Sequence, residues 1–153
     1  MTSHRFALLV ALTLTAAPVV QAGPLGPTKP SQLVTVLSGP STCNAGGGRS
    51  LDFQVAGDGS FVGLQIPEGS VLVVTDWEWC ENSNPSAAFV SLAIEGPGGL
   101  APVSTVLRDP LTPACSRGDL GAGVTVSSGS QLCATPVGAN AFIKAHGYLT
   151  KDR

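Results

Sequence analysis

Charged side chains are scarce in this chain. Asp, Glu, Lys and Arg together make up 12% of its 153 residues, whereas about a quarter is usual in globular proteins. The formal net charge is −2, and no stretch concentrates Lys and Arg. A chain without a basic cluster lacks the electrostatic footprint of a protein that binds nucleic acid or an anionic membrane. We therefore expect neither of these partners.

Histidine is scarcer still, since His146 is the only histidine after residue 22. A metal centre with two or three histidine ligands cannot be built from one such chain. No G-x-S-x-G elbow is present for a serine nucleophile either. We expect no cofactor. His146 lies in an alternating stretch and is more typical of a surface or edge position than of a catalytic base.

The sequence has no stretch with the apolar spacing of an amphipathic helix. No window of a dozen residues has apolar side chains at i, i+3, i+4 and i+7. Short stretches rich in β-branched residues alternate with Gly, Pro, Asn and Asp instead. They predict strands at residues 33–37, 50–56, 61–66, 70–79, 87–95, 103–107, 120–126, 131–135 and 141–150. We expect an all-β fold: a single antiparallel β-sandwich that is jelly-roll-like, with two Greek keys. An immunoglobulin-like sandwich is the alternative.

An internal repeat supports two related halves. The segment Gly63–Thr75 recurs as Gly123–Thr135, with five of thirteen positions identical. Each copy has an apolar stretch, a turn centred on Gly-Ser and a second apolar stretch, which predicts a hairpin. The similarity extends weakly to the strands around Phe89 and Phe142. Repeated hairpins in a short chain are typical of a double Greek key.

The first 22 residues have the pattern of a signal peptide. A short basic start precedes an apolar run from Phe6 to Val20, and Ala22 ends a small-x-small cleavage motif. The run is too short to span a bilayer core of roughly 30 Å. We predict a secreted or periplasmic protein without a membrane anchor after cleavage. Its parts are a signal peptide at 1–22, a flexible leader at 23–32 and a β-sandwich domain at 33–153.

Four cysteines follow the predicted leader: Cys43, Cys80, Cys115 and Cys133. An even number in an exported chain predicts two disulfides, and the sequence leaves all three connectivities open. A zinc site would need close pairs such as C-x2-C, which the chain lacks. We expect structural disulfides and no bound metal.

The segment with Asp76, Trp77, Glu78 and Trp79 is the most unusual in the chain. On a strand, the two tryptophans share one face and the two carboxylates share the other. The indoles either fill the core or form a ligand platform for sugar rings. The carboxylates either keep the outer face soluble or act as an acid–base pair. These four residues are the candidate ligand-binding site.

The tripeptide Arg117-Gly118-Asp119 resembles that of integrin-binding loops. It follows Cys115 among Pro and Gly residues, which predicts an exposed loop. Because three-residue motifs often recur by chance, we favour a plain soluble turn without a receptor.

These features favour a non-catalytic secreted or periplasmic module that acts by surface binding or as a structural component. Its ligand would be a carbohydrate or a protein surface, and a homo-oligomer is compatible with the fold. The alternative is a carbohydrate-active or esterase-like hydrolase that uses Asp76 and Glu78, or His146. A closed cleft would favour the enzyme, and a flat or grooved aromatic patch would favour the module.

Overall fold

The described part of the chain contains ten strands. The computed structural model describes residues 26–27, 29–44, 48–81, 89–107, 115–135 and 141–152. The strands are β1 (Leu33–Leu37), β2 (Arg49–Ser50), β3 (Phe53–Val55), β4 (Phe61–Gly63), β5 (Ser70–Glu81), β6 (Phe89–Gly96), β7 (Gly99–Leu107), β8 (Cys115–Ser127), β9 (Gln131–Thr135) and β10 (Ala141–Lys151). The only helical element among the described residues is a 3-10 turn, Pro30–Gln32. The predicted all-β class is confirmed.

The strands form two antiparallel sheets. One has six strands in the order β4-β3-β1-β10-β5-β8, and the other has four in the order β2-β9-β6-β7. The first and last strands are neighbours, with Leu33 opposite Tyr148 and Leu37 opposite Lys144. The last strand therefore lies inside the larger sheet, between β1 and β5. None of the described residues belongs to a helix with the length and apolarity needed to cross a bilayer.

The predicted signal peptide at 1–22 lies outside the described residues. Within the predicted leader, the end of the segment contacts the sheet, because the Gln32 side-chain amide donates a hydrogen bond to the Leu149 carbonyl oxygen at 3.3 Å. The Gln32 carboxamide oxygen also accepts the Lys29 N–H at 2.8 Å. The first bond attaches the chain to β10 just before β1 begins, and the second closes a local turn.

One buried cluster draws on both sheets. Its side chains come from β1, β5, β8 and β10 of the larger sheet, from β6 and β9 of the smaller one, and from Leu51 between β2 and β3. The buried members are Val36, Leu51, Leu72, Val74, Trp77, Trp79, Val90, Leu92, Val126, Leu132, Ala134, Ile143 and Ala145. Burial of such apolar area is the main source of folding free energy, at roughly 25 cal/mol per Å².

The predicted strand at 50–56 is in fact two strands in different sheets. Ser50 ends β2, which pairs with β9, whereas Phe53 begins β3, which pairs with β1. The chain changes sheets at Leu51 and Asp52. Leu51 fixes this crossing, because its N–H donates to the Leu132 carbonyl oxygen at 2.8 Å and its side chain is buried. The alternation of apolar and polar side chains continues through residues 50–56. The sequence pattern therefore does not show that the strand ends between Ser50 and Phe53.

Both copies of the repeat contain the same turn. Gly69 and Gly129 have φ of +70° and +83°, a conformation that glycine adopts without strain. The following serine N–H donates to the carbonyl oxygen three residues earlier, at 3.0 and 3.1 Å. The flanking strands pair elsewhere: β4 with β3, and β8 with β5, while β9 lies in the other sheet. The prediction of hairpins is wrong, because in each copy the strands before and after the turn do not pair with each other.

Two disulfides join distant parts of the chain. Cys43–Cys133 attaches the segment after β1 to β9, and Cys80–Cys115 joins β5 to β8. All four cysteines are paired, as predicted. Disulfides of this kind are typical of proteins that fold in an oxidising compartment.

Candidate functional site

The two tryptophans of β5 are buried. Trp77 is 0% exposed and Trp79 is 2% exposed, and both belong to the cluster that draws on the two sheets. Neither indole N–H has a hydrogen-bond partner in the part of the chain that the structure describes. The indoles therefore contribute to the core and present no platform to solvent. The core interpretation of these two residues agrees with their burial, and the platform interpretation does not.

A β-bulge at Thr75 decides which side chains of β5 face outward. Strict alternation would put Leu72 and Val74 on the face opposite the two tryptophans. The register between β5 and β8 shifts between Val74 and Asp76, and all four apolar side chains reach the core. The Thr75 hydroxyl donates to the His146 carbonyl oxygen at 3.2 Å at this point. The bulge thus sends the carboxylates outward while it keeps β5 apolar on its inner side.

A set of charged side chains lies on the outer face of the larger sheet. Asp76 lies opposite His146 of β10 and Asp119 of β8. Glu78 lies opposite Lys144 of β10 and Arg117 of β8. Residues directly opposite each other in a sheet share a face. We call this set the charged face: Asp76, Glu78, Arg117, Asp119, Lys144 and His146. The sequence singles out five of these six residues from separate segments, all but Lys144.

The carboxylates of Asp76 and Glu78 are both ion-paired. The Arg117 guanidinium lies 2.8 Å from an oxygen of Asp76, and the Lys144 ammonium pairs with Glu78. Such pairs on a sheet surface contribute about 0–1 kcal/mol each. Each acid has its own cation on a neighbouring strand, an arrangement suited to a soluble strand face.

His146 has a local partner on β1. Its Nδ1 lies 3.0 Å from the Thr35 hydroxyl oxygen, and the two residues are directly opposite in the β1–β10 ladder. This contact fixes the ring on the outer face, at the level of Asp76. A residue on the neighbouring strand thus supplies a hydrogen-bond partner for the His146 ring.

The Arg-Gly-Asp tripeptide lies inside β8. Arg117 is used in the ion pair with Asp76, and the Asp119 carboxylate accepts the Gly121 N–H at 2.7 Å. Gly118 lies opposite Trp77, and a Cβ atom there would meet the indole. The prediction of an exposed loop is wrong, because Gly118 is required by the close approach of an indole and not by a turn.

One group of possible metal-ligand atoms comes together on the smaller sheet. Cys43, Glu95 and Cys133 place one ligand atom each within 4.8 Å of one another. The two sulfurs are bonded to each other, so neither is a thiolate, the form that binds metals. The Glu95 carboxylate accepts the Asn44 N–H at 3.0 Å. The group therefore holds the segment around Cys43 on β9.

An aromatic pocket lies at the β3–β4 edge of the larger sheet. It has a volume of about 480 Å³, and three phenylalanines contribute to its walls. Phe61 and Phe142 are 64% and 41% exposed, which is unusual in a chain with so few aromatic residues. We call this the phenylalanine pocket; its lining residues are Phe53, Phe61, Phe142, Leu37, Pro40 and Arg49, together with Ser38 and Gly39.

The turn between β3 and β4 positions Phe61. The carboxylate of Asp58 accepts both the N–H and the hydroxyl of Ser60, at 2.9 and 2.7 Å. The Ser60 hydroxyl, followed by the Ser60 N–H, lowers the pKa of the Asp58 carboxyl below its ordinary value. Gly59 has a φ of +83°, a conformation that suits glycine, and β3 and β4 pair with each other on either side of this turn. Phe61 comes directly after this fixed turn.

Sequence reasoning missed the phenylalanine pocket. Phe53, Phe61 and Phe142 belong to segments that are far apart, and only the pairing of β1 with both β3 and β10 brings them together. The sequence offers no signal for the pocket, because the number of phenylalanines, five, does not indicate which of them lie close together. A second, polar pocket of about 270 Å³ lies beside the two repeat turns. Neither pocket is lined by a residue of the charged face.

Comparison with known proteins gave no match, either to a family model or to a curated sequence.

Proposed function

We propose that the protein is a non-catalytic binding module with a jelly-roll-like β-sandwich fold, and that it works in a secreted or periplasmic setting. The strand order supports the fold. A double Greek key places the first strand beside the last and divides its eight strands between two sheets of four. The orders β1-β10-β5-β8 and β2-β9-β6-β7 have this form, with β3 and β4 added at the β1 edge.

The repeat supports the same fold. It aligns β5 with β9, and its weak extension aligns β6 with β10. In a double Greek key, the third and fourth strands of one half correspond to the third and fourth of the other. Omitting the added β3–β4 pair, β5 and β6 hold those places in the first half, and β9 and β10 hold them in the second.

The two disulfides and the signal-peptide pattern support the location. Exported proteins keep disulfides, whereas the cytosol reduces them. The pattern at residues 1–22 supports export independently of the cysteines.

One observation carries the binding role: the phenylalanine pocket exposes aromatic rings in a concave site. Leaving Phe61 and Phe142 exposed forgoes the stabilisation that burial would give them. Pockets of about this size, lined by apolar rings and a few polar groups, are the usual form of small-ligand sites. The charged face has the opposite character, since the Asp76 and Glu78 carboxylates are ion-paired on a strand surface.

Dye binding tests the proposal. Nile red, a neutral apolar dye, should bind the exported protein, and Phe142→Ala should weaken its affinity about ten-fold through lost apolar contact. The matched control is Phe89→Ala, which removes a ring of similar exposure, 44%, from the other sheet. Both variants should melt within a few degrees of the wild type, because both rings are already exposed. Equal dye affinity in all three proteins would contradict the proposal.

The alternative hydrolase has a separate test. Aryl glycosides and aryl esters that release nitrophenol report turnover directly. We expect no release above the buffer rate. Turnover that Asp76→Asn or Glu78→Gln abolishes would replace the binding role by the carbohydrate-active one, and turnover lost in His146→Ala would favour the esterase.

A further inference from the structure

We propose that the Cys80–Cys115 disulfide is a thiol-exchange site, at which a low-molecular-weight thiol attacks the Cys115 sulfur and forms a mixed disulfide. The other disulfide stays closed under the same conditions. This inference goes beyond the proposed binding role and does not depend on it. Three observations carry it: the unequal exposure of the two bonds, the direction from which each sulfur is reached, and the backbone pairing beside the bond.

The two disulfides differ in exposure. Cys43 is 3% exposed and Cys133 is 0% exposed. Cys115, by contrast, is exposed, and Cys80 is half-buried. Exchange requires a thiolate to contact one of the bonded sulfurs, so exposed disulfides are labile and buried cysteines are inert. A thiol therefore reaches the Cys43–Cys133 bond only after the fold has opened locally.

The Cys80–Cys115 bond lies on the outer face of the larger sheet. Cys80 comes two residues after the ion-paired Glu78 on β5, and alternate residues of a strand share a face. The pairing of β5 with β8 has no register shift between Asp76 and Cys80. Cys115 is the residue of β8 directly opposite Cys80, so it shares that face. The bond thus crosses between two neighbouring strands on the side away from the core.

The strand order makes Cys115 the attacked sulfur. A thiolate approaches along the line of the S–S bond, from the side opposite the leaving sulfur. For Cys80 that side is β10, where Phe142 lies directly opposite Cys80. For Cys115 it is the side beyond β8, the last strand in the sheet order of the described residues. The phenylalanine therefore hinders attack on Cys80, whereas the exposure of Cys115 favours attack there.

The exchange conserves atoms and electrons. The attacking thiolate forms a bond to Cys115 Sγ, the Cys80–Cys115 bond breaks, and Cys80 leaves as a thiolate that takes up a proton from water. A second small thiolate then attacks the small-thiol sulfur of the mixed disulfide, and Cys115 leaves as a thiolate that is protonated in turn. Over both steps the protein bond gains two electrons and two protons, and two small thiols become one disulfide.

Backbone pairing holds β5 and β8 together independently of this bond. The ladder runs from Val71 opposite Ser127 to Trp79 opposite Ser116, and the disulfide lies just beyond its end. The two strands therefore remain neighbours when the bond opens. We expect the mixed disulfide to be a folded protein.

Thiol trapping tests the inference. The exported protein is incubated briefly with 2-mercaptoethanol in native buffer, quenched with N-ethylmaleimide and mapped by peptide mass spectrometry. The Cys80–Cys115 bond should open at least about 100-fold faster than Cys43–Cys133, because the buried pair must first become exposed by local unfolding. The 2-mercaptoethanol adduct should lie on Cys115 and the maleimide on Cys80. In urea that unfolds the protein, the two bonds should open at similar rates, which assigns the difference to the fold.

A pair of variants tests the direction of attack. Phe142→Ala should raise the share of adduct on Cys80, because it removes the ring on that side. Phe89→Ala is the matched control, since it removes a ring of similar exposure from the other sheet and should leave the share unchanged. If Phe142→Ala does not fold, the position of the adduct in the wild type still decides the question.

Three results would overturn the proposal. The first is opening of the two bonds at similar rates in native buffer, or faster opening of Cys43–Cys133. The second is an adduct mainly on Cys80, because Cys115 would then not be the attacked sulfur. The third is loss of the far-UV circular dichroism signal of the strands in the adduct, because the bond would then open only in unfolded protein.

Discussion

Replacing Gly118 by Ala should lower the free energy of unfolding by about 2 kcal/mol. The new Cβ would lie 2.8 Å from Val106 Cγ2 and 3.0 Å from Trp77 Cε2, and closer still to the indole nitrogen. Trp77 has no exposed surface and cannot rotate away without displacing its neighbours. Inserting one methyl group into a packed core typically costs about 1–3 kcal/mol. The strain therefore falls on the contact between β5 and β8.

Urea unfolding, followed by tryptophan fluorescence, measures this change. Gly63→Ala is the matched control, because Gly63 also lies in a strand, has no atom within 4 Å of its would-be Cβ and has no positive φ. The control should stay within about 0.5 kcal/mol of the wild type. Gly118→Ala should also cost less in a Trp77→Phe background, with a coupling energy of about 1 kcal/mol, since the smaller ring leaves room. Equal stability of the two alanine variants would refute the reasoning.

Further predictions concern the disulfides, one titration, one ion pair and metal content. The double variant Cys80→Ser/Cys115→Ser should lose about 4 kcal/mol of stability in the chain-entropy model for the loop this bridge closes, measured by urea unfolding. The lowered pKa of Asp58 means that its hydrogen bonds stabilise the fold above the ordinary carboxyl pKa and that this contribution is lost as pH falls through the folded value. Ser60→Ala should raise the pKa of Asp58 back toward the ordinary value, measured by NMR titration; an unchanged pKa would contradict the assignment. Arg117→Gln should change stability by less than about 1 kcal/mol, because the guanidinium is 68% exposed, and a larger loss would show that the pair matters more than its exposure indicates. Elemental analysis of the oxidised protein should find no stoichiometric zinc or iron, since all four cysteines are paired.

Local patterns predicted much of the fold but little of the candidate site. The strands 33–37 and 131–135 have the predicted bounds, because each is a short apolar stretch with turn residues on both sides. The stretch 115–119 was expected in a loop, yet it extends β8, since Gly118 next to an indole has the same sequence signal as Gly in a turn. The phenylalanine pocket depends on which strands become neighbours, and side-chain alternation within a strand carries no information about that.

The position of β10 between β1 and β5 has a consequence for folding kinetics. The larger sheet cannot close until its last strand has arrived, because that strand fills the gap between the first strand and the rest. Most of its pairings join residues that are far apart in the chain, and folds dominated by such pairings form in milliseconds to seconds. A nascent chain that ends before Ala141 therefore lacks the central strand and stays open during synthesis. The larger sheet is therefore completed only after Ala141–Lys151 has been synthesised.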